Sequence, residues 1–197
     1  MASETLNGPK VAVLVRRSAA GPILGLALSV VCASGAAAQS TACVDVIARD
    51  PQLSRASSAL ERTGIAEGLR TSGPLTIFVP TDQAIARHPS DLSERLFPQG
   101  GSTQGGQMMD PVAAPAAVNS HILDGRHPAS AIRAGDKLRT RNGTTIDVAA
   151  AQGGQVTLSP TPGRFSLGMK PEEAKIIQAD IACSNGIIHK VDDVLVR

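Results

Sequence analysis

The chain has 197 residues, 42% hydrophobic and 18% charged, which suits one globular domain and is too short for two full ones. With three Phe, no Trp and no Tyr, it cannot build a sugar platform, a single-stranded nucleic-acid channel or a methyl-lysine cage on stacked rings. The core must be aliphatic, and a formal charge of +2 gives little footing for a nucleic-acid partner.

The first element is a targeting segment. Lys10, Arg16 and Arg17 form a basic lead-in, an apolar run follows to Cys32, and Ala36, Ala37 and Ala38 supply the small residues that a signal peptidase needs. Residues 1–38 therefore read as a cleavable secretory signal, cut between Ala38 and Gln39, with 39–197 as the exported domain. Interruptions at Gly21, Pro22, Gly25 and Ser29 argue against a membrane span. Cys32 leaves lipidation open, although Val30 and Val31 are poor neighbours for it. Cleavage takes away three of the 19 Lys/Arg and one of the 17 acids, so the mature charge falls to about zero. Of the three cysteines it leaves Cys43 and Cys183, an even pair sent to an oxidising compartment. A disulfide is the default expectation, with two buried free thiols as the other possibility.

Leu53, Ala56, Ser57 and Leu60 keep helical spacing, Gly64 is a stop, and Ile65 and Leu69 mark a second short turn. After Gly73 and Pro74, the β-branched and aromatic run Leu75 to Val79 predicts a buried strand. Pro80 ends it, and Thr81 or Asp82 can cap the helix over Gln83 to Arg87. Ser90 can cap a further helix holding Leu92 and Leu96. The Gly/Gln-rich stretch at about 98–110 cannot bury a core and predicts a flexible surface loop.

A helix is expected to resume from about Pro115 to Leu123, with Val118 and Ile122 on one face. Strands follow on either side of Asn142-Gly143, a strong hairpin signal, then at Val156 to Leu158, Ala174 to Ala182 and Ile187 to Val191. Helices packed on a mainly antiparallel sheet make an α+β domain.

The chemistry-bearing motifs are mostly missing. There is no G-x-S-x-G, C-x-x-C, H-E-x-x-H or phosphate-cradling loop, so neither an enzyme nor a cofactor or metal is expected. Ser120 and His121 are adjacent, and on a helix such neighbours diverge by about 100°, which predicts that they do not pair. His121 reads as a packed or capped side chain and His189 as one whose ring nitrogens bond backbone, while Asn185 is expected to supply a positive φ at its turn. Arg126, Arg133, Lys137, Arg139 and Arg141 form a local excess of positive charge, with Lys137, Arg139 and Arg141 on one strand face. That is either a solvated face or a contact for an anionic partner.

Three segments resemble the fasciclin domain family. Leu75-Thr76-Ile77-Phe78-Val79-Pro80-Thr81-Asp82-Gln83-Ala84-Ile85 is similar to its first signature, and Ser184 to Leu195, containing Asn185, Gly186 and His189, to its second. Val118 to Leu123 stands at the family's central Tyr-His motif, with Ser120 in place of the Tyr. The resemblance covers roughly Cys43 to Val196. It implies helices around a wedge of strands, and a secreted or periplasmic module with an adhesive role that binds proteins or cell-envelope and matrix polymers. The alternative is a carrier of an apolar small molecule such as a carotenoid or lipid.

Overall fold

The computed structural model describes residues 41–97, 109–150, 155–161 and 173–196. The proposed signal segment, the Ala38–Gln39 junction and most of the Gly/Gln-rich stretch lie outside these residues.

Three short helices open the domain: α1 (Cys43–Arg49), α2 (Ser54–Arg62), entered through a 3-10 turn at Pro51–Leu53, and α3 (Ile65–Thr71). Helix α1 was not anticipated, although Val44 and Ile47 bury one side of it. Gly64 separates α2 from α3 with φ +72°, a left-handed conformation that glycine adopts without steric cost. Strand β1 (Leu75–Pro80) is buried along its whole length and leads into α4 (Asp82–Ala86) and α5 (Ser90–Leu96).

The capping alternatives resolve by geometry. Thr81 caps α4, its side chain accepting from Ala84 N at 3.1 Å. Asp82 instead reaches back to α2, accepting from Arg55 N at 2.9 Å and Ser54 Oγ at 2.5 Å. Ser90 does not cap α5, because Pro89 occupies the cap position and Ser90 already lies in the first turn. Replacing Asp82 by alanine should lower stability by about 1 kcal/mol. Faster amide exchange at Arg55, with the α4 amides unchanged, would locate that loss at α2.

Helix α6 (Ala113–Asn119) starts on Asp110, whose carboxylate accepts from Ala113 N at 2.8 Å and Val112 N at 3.0 Å and meets Arg95 at 2.7 Å. Those backbone donors, with Arg95, hold its carboxyl at about 2. The end of the expected loop is thus anchored. The helix also stops earlier than Leu123, because Ile122 belongs to strand β2 (Ile122–Asp124) and pairs with Ile77 of β1. A vacant sheet edge outweighs the helical spacing of Val118 and Ile122.

The remaining strands are β3 (Lys137–Arg139), β4 (Thr145–Ala150), β5 (Val156–Pro160), β6 (Ala174–Cys183) and β7 (Gly186–Val191). The sheet order is β2-β1-β7-β6-β5-β4-β3, and every neighbouring pair is antiparallel except β1 with β7. Strand alternation then divides the core. Leu75, Ile77 and Val79 face the helices, together with Leu53, Leu60, Leu69 and Ile188. Phe78 faces a second cluster with Leu123, Ile146, Leu158 and Val191.

Candidate functional site

Leu75 pairs with Gly186 and Pro80 with Val191, so the two signature-like segments lie side by side as parallel strands. At their shared end the backbones nearly touch. A Cβ on Gly186 would sit 2.2 Å from the Leu75 carbonyl oxygen, so only glycine fits there.

Asn185 does not supply a positive φ; among the described non-glycine residues only Asp180 does, at φ 57°, beside the irregularity in β6. The Asn185 side chain has a different task. Its Oδ1 accepts from Cys43 N at 2.9 Å, and its Nδ2 donates to Leu69 O at 2.6 Å and Ser72 O at 2.8 Å. Three orphan groups at helix ends are satisfied by one amide. Beside it Cys43 and Cys183 form a disulfide with Cα atoms 5.0 Å apart, which ties α1 to the end of β6. Around this turn Arg70, Ser72, Pro74, Arg126 and Asn185 line an open cleft of about 390 Å³. The Arg70 guanidinium faces Asp45, Glu61 and Glu67, so its charge is already matched.

His121 lies buried at 3% exposure. Its Nδ1 donates to Ala117 O at 2.7 Å and its Nε2 accepts from Leu195 N at 2.9 Å, which defines a neutral ring. Burial pushes its pKa down to about 4, against the smaller opposing pull of Ala117 O and Asp193. Ser120 Oγ does approach His121 Nδ1, at 3.3 Å, because both side chains turn back to the same acceptor, the Ala117 carbonyl. The approach does not make a nucleophile and base. Ser120 Oγ donates to Ala117 O at 2.6 Å, and the histidine nitrogen facing it carries the proton.

His189 stacks on Phe78 at 5.4 Å, donates through Nε2 to His127 O at 2.9 Å and accepts from Asp180 N at 3.2 Å through Nδ1. Burial lowers its pKa as well. Sequence reasoning missed Lys190, the next residue, which is 6% exposed. Its ammonium meets Asp50 at 2.5 Å and Gln52 Oε1 at 3.0 Å. Burial alone would raise the Asp50 carboxyl, but Lys190 and Gln52 N outweigh it and hold it low. Only the Asp-Pro step, an N-terminal signal for a helical turn, hinted at Asp50.

The five basic residues divide. Arg126 donates to the carbonyls of Cys183 and Ser184 at 3.4 and 3.2 Å. Lys137 pairs with Asp147 at 2.6 Å and Arg141 with Asp124 at 2.7 Å. Arg133 and Arg139 are exposed. Among the described residues no group of three His, Cys, Asp or Glu is placed to hold a metal, and no helix is long and apolar enough to cross a membrane. An apolar cavity beneath α2, β1 and α6, lined by Leu60, Ile77, Phe97 and His121, measures about 20 Å³.

The Fasciclin domain family model matches residues 51–197. Human periostin is 30% identical over 156 residues, covering 79% of this chain but only 16% of periostin. Protein sll1483 of Synechocystis is 26% identical over 152 residues, covering 77% of this chain and 71% of that protein. Among solved structures, an FAS1 domain pair from the insect cell adhesion molecule fasciclin I superposes with a TM-score of 0.57 at 17% identity, over 80% of this chain and 51% of the pair. The paired signature strands and the match over residues 51–197 place this chain in the Fasciclin domain family.

Proposed function

We propose that the protein is an exported, non-enzymatic interaction module that engages proteins or cell-envelope polymers through its surface. Residues 1–38 direct export, and cleavage between Ala38 and Gln39 releases a domain that works outside the cytoplasm. The observation that carries this reading is family membership, since a member of the same fold family is an insect cell adhesion molecule. The use of the polar motif side chains supports it: Asn185, His121 and His189 direct their nitrogens or oxygens into the domain's own backbone. Among the described residues the carrier alternative finds little support: the apolar cavity beneath α2 measures about 20 Å³, room for roughly one water, and the cleft of about 390 Å³ at the Asn185 turn is open and lined mainly by Arg70, Ser72, Arg126 and Asn185 rather than by apolar side chains.

Of the candidate residues, Arg133, Lys137, Arg139 and Arg141 are the contacts we assign to an anionic partner, with Arg126 at a separate site on the β6–β7 turn. Cell-aggregation and pull-down assays with the mature protein test the reading. Binding that weakens as salt is raised is the expected result. No effect of purified protein, or of deleting its gene, on adhesion, aggregation or matrix binding would refute it.

A further inference from the structure

Strand β3 ends the sheet, and its backbone is half unused. Thr140 N bonds Thr144 O and Val148 N bonds Asp136 O, each at 2.9 Å, so the Asp136 carbonyl and the Thr140 N–H, with Leu138 paired to Ile146 between them, turn toward the β4 side, while the Asp136 N–H bonds Arg133 O. Lys137 and Arg139 must then aim their N–H and C=O groups away from the sheet. Among the described residues those groups have no partner. The same outward parity continues at Arg141, whose N–H does find an acceptor, the Ile122 carbonyl of β2 at 2.8 Å. The open edge therefore runs from Arg139 back to Lys137.

Its side chains are as selective as its backbone is open. Lys137 and Arg139 share the exposed face of β3, while Leu138 between them is buried. Across the strand that face meets one carboxylate, Asp147, and the uncharged Thr145. Asp147 is paired to Lys137 in an exposed contact that contributes little, and Arg139 has no ion pair among the described residues. Two copies of the chain joined edge to edge in antiparallel fashion would set Lys137 and Arg139 of one against Arg139 and Lys137 of the other, which like-charge repulsion opposes. A strand carrying carboxylates meets the opposite situation. An acidic sugar polymer can meet the charges and offer hydroxyls to single groups, but it lacks the regular alternation of N–H and C=O that a strand presents to an open edge, and the chain offers no Trp or Tyr for ring stacking.

We infer that the outer edge of β3 is a docking site for an extended acidic segment of a partner protein, which adds a strand through the backbone of Lys137 and Arg139 and is selected by their charges. This rests on the interaction-module reading and names the partner chemistry.

The test titrates the mature protein with a synthetic peptide of alternating Glu and Val, followed residue by residue by NMR. Binding should slow amide exchange at Lys137 and Arg139 and leave Leu138, already bonded to β4, unchanged. Arg139→Glu should weaken the acidic peptide by about tenfold, the equivalent of 1.4 kcal/mol, and favour a Lys/Val peptide instead. Arg139→Gln, which removes only charge at an exposed position, should fall between the two. Binding with no protection at Lys137 and Arg139, equal binding of the Lys/Val peptide to the unmodified protein, or a dimer formed through this edge would each overturn the inference. So would binding of polygalacturonate alone, without peptide. If adhesion persists under any of these results, the interaction-module reading survives and only the β3 site falls.

Discussion

Replacing Cys43 and Cys183 together by serine should lower stability by about 2 to 5 kcal/mol, the range for native disulfides that close long loops. The bond spans a sequence separation of 140 residues, nearly the whole described domain, so breaking it returns a large loop entropy to the unfolded chain. The native side is affected less. Asn185 Oδ1 still holds Cys43 N, Ser184 N still donates to Thr41 O, and Lys190 still anchors Asp50 after α1. The loss should therefore fall on the denaturation midpoint rather than on the fold, with near-native spectra in the double variant. Intact mass supplies the covalent check: mature, unreduced protein should be about 2 Da lighter than reduced protein, as one bridge requires. Two alkylatable thiols in freshly isolated protein would refute the prediction.

Acid should destabilise the domain through His121 by about 3 kcal/mol between pH 6.5 and 4. The folded pKa is about 4, depressed from an ordinary 6.5 by burial. Above pH 6.5 the ring is neutral in both states and its contribution is complete. As pH falls below 6.5, the unfolded chain takes up a proton that the folded chain refuses, and stability declines until the folded ring also protonates near 4. Each pH unit in that window costs about 1.4 kcal/mol. Burial is the cause, and protonation would also take away the Nε2 lone pair that accepts from Leu195 N. A His121→Gln variant should show a flatter stability profile over this window whatever its absolute stability. Some slope should remain, because the His189 pKa is lowered too. An unchanged profile would show that His121 does not carry the acid response.

Local signals in the sequence determined a good part of this protein. The run from Leu75 to Val79 lies between Pro74 and Pro80, and Asn142-Gly143 stands between two short stretches that alternate polar and apolar residues around Leu138 and around Ile146 and Val148. Both became strands, β1 and the β3–β4 hairpin, because hydrophobic period and turn chemistry are properties of neighbours in the chain. Gly64 stopped a helix for the same reason. Tertiary structure decided the rest. Ile122 left its helical spacing for an edge of β1, Asp82 capped α2 rather than its own helix, and Asn185 spent its side chain on Cys43, Leu69 and Ser72. Lys190 became buriable only because Asp50 and Gln52 arrive from the other end of the chain. Each of these joins groups well apart in sequence, and a buried polar group takes whichever partner packing delivers, which no pattern of hydropathy or propensity records.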